Sequence, residues 1–152
     1  MGENNNINPA LQGIKGFIGT WEMELSNASF LPEPKTTIKG TAVFEWFEGG
    51  DFLILRQGVK NTGTPWATWF IGRDKDSQNY TVLYIDDQKS SRVYEMSFEG
   101  ETWKIWRNAP GFIQRFTGEV SKDKKTISGH WEQSTDSKTW KHDFDLTYKK
   151  IK

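Results

Sequence analysis

FIGTWEMEL, residues 17–25, decides the fold of this chain. Successive side chains of a strand point to opposite sides, so Phe17, Gly19, Trp21, Met23 and Leu25 fall on one face and Ile18, Thr20, Glu22 and Glu24 on the other. A helix would scatter the same residues around its circumference. The alternation predicts a half-buried strand, and it recurs to the end of the chain. Residues 36–47 and 51–58 read as two strands joined at Glu48-Gly49-Gly50, a hairpin signal. Further strands are predicted at 66–72, 80–85, 91–98, 102–108, 112–120, 126–134 and 139–149. Turn chemistry separates them: Pro32 and Pro34 mark a loop, and turn residues cluster at 61–65, 73–79, 86–90, 99–101, 109–111, 122–125 and 136–138.

Roughly ten antiparallel strands with no helical pattern between them leave an up-and-down meander. In one open layer they would expose two long edges, which closure into a barrel removes. A β-sandwich is the competing arrangement, but the connections are uniformly short and none demands a Greek-key crossing. The expectation is an all-β fold: a single antiparallel up-and-down β-barrel of about ten strands. A short N-terminal helical turn is expected over 9–16, with Pro9 at its first position and Gly16 as its stop. Residues 1–8 read as a flexible tail and 9–152 as one barrel domain. The ten Phe, eight Trp and four Tyr suit the inside of a strongly curved sheet, where each inward side chain spans much of the interior.

Charge is balanced, 20 basic residues against 20 acidic, so no net field recruits nucleic acid, anionic lipid or polyanions. The absence of cysteine removes disulfides, thiolate nucleophiles and Cys-type zinc sites. No secretion signal or membrane helix is read, and the expected location is the cytoplasm. Gly2 fails as a myristoylation site because Asn6 stands where Ser or Thr is required. The sequon Asn27-Ala28-Ser29 reads as chance without such a signal.

Gly19-Thr20-Trp21, a G-x-W after a helical turn, resembles the calycin superfamily of lipocalins, fatty-acid-binding proteins and avidins. In that superfamily the Trp closes one end of the barrel. The wider combination of Leu11, Gly19-Thr20-Trp21-Glu22, Phe47-Glu48-Gly49-Gly50-Asp51-Phe52-Leu53, Gly129-His130-Trp131-Glu132-Gln133-Ser134, Asp136-Ser137-Lys138-Thr139-Trp140 and Leu146-Thr147-Tyr148 resembles an uncharacterised family of bacterial calycin-like proteins. The resemblance covers about 11–149 and implies a barrel of about ten strands, with no activity attached. Lipocalins and avidins set a basic residue across the Trp, for which this chain offers Lys149 and Lys150. Nitrobindin-type haem barrels carry further glycines after G-x-W, where this chain has Glu22-Met23-Glu24.

Five residues are candidates for contact with a ligand. In the last strand strict alternation groups Trp140, His142, Phe144, Leu146 and Tyr148, which predicts an inward His142. It either pairs within the core or touches a ligand. Arg92 and Tyr94, with Met96 and Phe98, form the inward set of 91–98; Arg107 follows Trp103 and Ile105. An interior arginine needs an acid or an anionic ligand, unless it lies at a rim and reaches water. Gln114, in phase with Phe112 and Phe116, is an interior amide that could orient a ligand or pair with His142. His130 is out of phase with Trp131 and faces water, so the two histidines are expected on opposite faces and form no zinc centre.

Other motifs carry little. Asp74-Lys75-Asp76-Ser77-Gln78-Asn79 begins like a calcium loop but lacks the central Gly and the closing Glu. There is no G-x-S-x-G, H-E-x-x-H or phosphate-binding glycine loop. Thr102-Trp103-Lys104-Ile105-Trp106-Arg107 has the interleaving of a nucleic-acid platform, against which the zero net charge and the strand count both argue. The resulting expectation is non-catalytic binding of a small, largely apolar molecule, with or without a carboxylate, with no cofactor, no nucleic acid and no membrane insertion, by a monomer or homodimer. The alternatives are an enzyme using His142 with Arg107, haem binding through His142, and a filled barrel acting as an interaction module.

Overall fold

A computed structural model describes residues 7–29, 33, 36–59 and 66–152 of the chain. The loop expected at Pro32 and Pro34, the turn at 61–65 and residues 1–6 of the expected tail lie outside the described residues. The strands are β1 (Gly19–Ser26), β2 (Ile38–Phe47), β3 (Phe52–Val59), β4 (Ala67–Gly72), β5 (Tyr80–Asp86), β6 (Ser91–Glu99), β7 (Thr102–Ala109), β8 (Phe112–Val120), β9 (Thr126–Ser134) and β10 (Lys141–Lys150). Each pairs antiparallel with its sequence neighbours, and β1 pairs with β10 to close the barrel. Closure leaves no edge strand to satisfy.

A 3₁₀ segment, Pro9–Phe17, precedes the barrel. With three residues per turn, Leu11, Ile14 and Phe17 stack on one stripe, and all three are buried. Asn8 caps its start, its Oδ1 accepting from the Ala10 N–H at 3.0 Å, and Pro9 supplies a first position that needs no donor. The segment plugs one end of the barrel. The Phe17 ring lies 4.9 Å from that of Trp103, 5.1 Å from Phe98 and 5.4 Å from Phe44. The Trp21 Nε1–H donates to the Phe17 carbonyl at 2.9 Å, so the start of β1 and the plug hold each other. Trp21 pairs in register with Lys150, whose ammonium stands 5.5 Å from the centroid of the Trp21 ring. Lys150 thus supplies the basic residue across the first-strand Trp.

Inward residues fill this closed half. Trp103 meets Phe17, Phe44, Phe116 and Tyr148 with ring centroids 4.9–6.2 Å apart. The Phe116 ring lies over Gly118 and Gly129, which face each other across β8 and β9. The hairpin expected at Glu48-Gly49-Gly50 is a single 3₁₀ turn with positive φ at all three residues, where glycine is the least strained choice.

One expectation fails in β10. A β-bulge between His142 and Phe144 inserts Asp143, so that His142 faces Glu132 and Phe144 faces Trp131 across β9. One extra residue reverses the faces on its far side. Asp143 therefore turns inward and is 7% exposed, while the His142 side chain is 45% exposed on the outer wall. Trp140 is displaced as well, its ring lying 3.7 Å from the Arg115 guanidinium, which also donates to Glu132 at 2.8 Å.

Candidate ligand cavity at the open end

The end opposite the plug holds a cavity of ≈ 290 Å³. It is bounded by the ends of β1, β3, β5 and β9, the starts of β4, β6, β8 and β10, and Trp66. Trp69, Tyr84, Tyr94, Phe112, Trp131 and Phe144 give it aromatic walls, and Met23, Leu25 and Leu146 add aliphatic surface. Four polar side chains enter this lining: Gln57, Arg92, Gln114 and Asp143. Apolar walls with a few convergent polar groups are the usual composition of a small-molecule site.

Strand register explains the arrangement. Leu55, Trp69, Tyr84 and Arg92 are successive direct partners across β3, β4, β5 and β6, all on the inner face. Arg92 is near the mouth and half-buried; its guanidinium lies 5.8 Å from the Tyr84 ring centroid and 5.5 Å from that of Phe112. Burial alone would lower the Arg92 pKa, but the neighbouring Tyr94 oxygen and the negative charge of Asp86 outweigh it and hold the cation. The Tyr94 hydroxyl donates to Gln114 Oε1 at 2.7 Å. Burial is the main cause of a raised Tyr94 pKa, so this hydroxyl keeps its proton. Arg92, Tyr94 and Gln114 thus lie together along the cavity wall, with the hydroxyl of Tyr94 fixing the amide of Gln114. Gln57 is oriented in the same manner, its Oε1 accepting from the Tyr148 hydroxyl at 2.9 Å.

Asp143 is the acidic member of the lining. Its Oδ1 accepts from Ser29 Oγ at 3.2 Å and its carbonyl from the Ser29 N–H at 2.7 Å, which ties β10 to the chain leaving β1. Desolvation raises its pKa above the ordinary aspartate value, outweighing the Ser29 hydrogen bond and the charge of His142. Among the described residues no ion pair joins Asp143 to Arg92, nor Arg92 to any other carboxylate.

Of the five expected contact residues, Arg92, Tyr94 and Gln114 line the cavity together. Gln114 pairs with Tyr94 rather than with His142. Arg107 does not line the cavity: it follows Trp103 and Ile105 on the inner face of β7, but its Nη1 donates to the Phe112 carbonyl at 3.3 Å, bracing the β7–β8 hairpin at the rim. His142 is removed from the interior by the bulge, its Nε2 lying 2.7 Å from Asp145 Oδ1. The expected partnership of His142 with Arg107 therefore does not form, and no histidine is present in the lining to ligate a haem iron. The two histidines also share a face after all: the rings of His130 and His142 stack on the outer wall with centroids 6.4 Å apart. Among the described residues no group of three or more His, Asp or Glu side chains is arranged to hold a metal.

Sequence reasoning passed over Trp69 and Tyr84, although the alternation of Ala67, Trp69 and Ile71 carries the first and that of Tyr80, Val82 and Tyr84 the second. It could not find Asp143, because nothing local announces the bulge.

The geometry defines a closed, ten-stranded antiparallel β-barrel, plugged at one end and hollow at the other. Its fold matches the crystal structure of Rv2717c from M. tuberculosis with a TM-score of 0.66, covering 97% of this chain and 100% of that one at 11% sequence identity. At that identity the likeness is one of fold. No protein-family model matches the chain, and no curated protein matches it by sequence. Among the described residues no helix is long and apolar enough to cross a membrane.

Proposed function

We propose that this protein binds a small, largely apolar molecule bearing a carboxylate in the cavity at its open end, and does not transform it. The observation that carries this reading is Arg92, a half-buried guanidinium set among Tyr84, Tyr94 and Phe112 with no carboxylate in ion pair among the described residues. A desolvated cation seeks an anion, and a planar fork of donors matches a carboxylate in two hydrogen bonds. The calycin resemblance supports the reading, since fatty-acid-binding barrels hold carboxylates with a guanidinium at the end of an apolar cavity. A nucleophile paired with a base is not found in the lining, which favours binding over turnover. The volume is at the low end of the ~300–1,000 Å³ of ligand pockets, which suits a compact aromatic acid better than a long acyl chain.

The test is a panel of aromatic and short aliphatic carboxylates with their neutral amides, read by melting temperature and by Trp fluorescence. Carboxylates should raise the melting temperature with concentration by mass action and quench the fluorescence of Trp66, Trp69 and Trp131. Arg92→Met should weaken carboxylates by about tenfold or more while leaving the neutral amides within about twofold, since only the former lose a charge-assisted hydrogen bond. A panel that never shifts the melting curve would end the proposal.

A further inference from the structure

The indole Nε1–H of Trp69 is buried and has no hydrogen-bond partner. Trp69 is 3% exposed and lines the open-end cavity. Leaving a buried donor unmade costs the full desolvation of that group, so such donors are rare unless something arrives to meet them. Trp103 is the other such indole, but it is outside the cavity lining and rings surround it, with the Phe116 ring edge-to-face at 5.1 Å. An aromatic face can take up an N–H there. Trp69 differs in lining the cavity: its ring stacks on that of Tyr94 at 13° and meets that of Tyr84 at 61°, and its N–H is left without a hydrogen-bond acceptor.

We infer that Trp69 Nε1–H donates to a hydrogen-bond acceptor at the deep end of the bound molecule, while Arg92 holds its carboxylate nearer the mouth. This rests on the reading of Arg92 given above and adds a second, neutral recognition point. The two residues occupy one cross-strand row with Tyr84 between them. Two strand spacings place their backbones about 10 Å apart, a span suited to one bicyclic ring system. The two glutamines of the lining agree with an acceptor-bearing ligand. The Oε1 of both Gln57 and Gln114 is occupied by a tyrosine hydroxyl, so what each amide offers further is its N–H hydrogens. Arg92 also only donates. The class is therefore a planar aromatic carboxylate with an acceptor, such as a ring nitrogen or carbonyl oxygen, at the end remote from the acid.

Quinoline-6-carboxylate and 2-naphthoate separate this inference from the one beneath it, because they share shape and charge and differ by one ring nitrogen. In titrations of the unmutated protein the quinoline should bind about two- to tenfold more tightly, the worth of one neutral hydrogen bond. In ¹⁵N-labelled protein the Trp69 indole proton, identified by its loss in Trp69→Phe, should move downfield with the quinoline and not with the naphthoate. Trp69→Phe should bring the two affinities to parity. Equal affinities in the unmutated protein, or an indole signal indifferent to the ring nitrogen, would overturn the Trp69 contact and leave the Arg92 reading standing. If neither acid binds, both fall together. Should Trp69→Phe fail to fold, the affinity ratio in the unmutated protein decides alone.

Discussion

Trp21 and Asp143 are both buried, but burial acts on them with opposite sign. Trp21 is 1% exposed and its one polar atom is satisfied by the Phe17 carbonyl, so it contributes apolar area with no unpaired donor. Trp21→Ala is expected to lower stability by about 3–5 kcal/mol in denaturant unfolding, as for other buried large aromatics; a change below about 1 kcal/mol would mean that the plug does not depend on it. Asp143 brings a carboxylate into an aromatic wall, and its pKa is raised by desolvation. The native state therefore binds the proton more tightly than the unfolded chain does. Its stabilising contribution is complete below the unfolded value, near 3.8, and is lost as pH rises through the raised folded value. Asp143→Asn keeps an acceptor for Ser29 and removes the charge. The variant should melt higher than the parent at neutral pH, with the difference shrinking towards zero as pH falls below the ordinary aspartate range. Several exposed carboxylates, Asp123 and Asp136 among them, shift the other way, which is why the paired difference is the quantity to read. The same substitution should tighten carboxylate binding at neutral pH, since it removes a like charge from the cavity.

At the level of elements, the pairing of β8 with β9 carries a tight steric condition. Gly118 and Gly129 are direct partners, and a Cβ on Gly129 would lie 2.5 Å from Phe116 Cζ and 2.6 Å from the Thr117 carbonyl oxygen. The ring can swing, but the backbone oxygen cannot move without disturbing the ladder. Gly129→Ala should therefore destabilise by about 1–3 kcal/mol through overpacking, measured by thermal or denaturant unfolding. Most elements were legible in the sequence because period-2 alternation is a local property: β1, β6 and β7 carry their inward sets in the phase expected from Trp21, Tyr94 and Trp103. The plug was legible as a turn at Pro9, and its stripe of Leu11, Ile14 and Phe17 follows once the period is three. β10 was misread upstream of Phe144 because a bulge is set by pairing with β9 and by the Ser29 contacts of Asp143, neither of which is local. The candidate site was legible to the same extent. Arg92, Tyr94 and Gln114 follow from phase, whereas Asp143 and the exclusion of His142 depend on register between strands distant in sequence.

For the molecule as a whole, the two ends of one barrel are built to different standards. The plugged end is packed with rings: Phe17, Phe44, Trp103 and Phe116 are all 4% exposed or less. The open end surrounds a cavity and carries Arg92, Gln57 and Asp143, groups whose burial opposes folding unless each is paired. Local stability follows contact and solvation, so opening free energies should fall along the barrel axis from plug to mouth. Native-state hydrogen exchange should show this gradient directly. Ladder amides near Trp21, Phe44 and Trp103 are expected to exchange only through global unfolding, while amides near Trp69, Arg92 and Phe144 exchange through local openings of lower energy. A ligand bound at the mouth stabilises only states in which the mouth is formed, so saturation should slow the second group first and bring it towards the rates of the first. Uniform protection from end to end in the free protein would show that the cavity is no weak point. Protection gained first at the plug would place the ligand at the wrong end of the barrel.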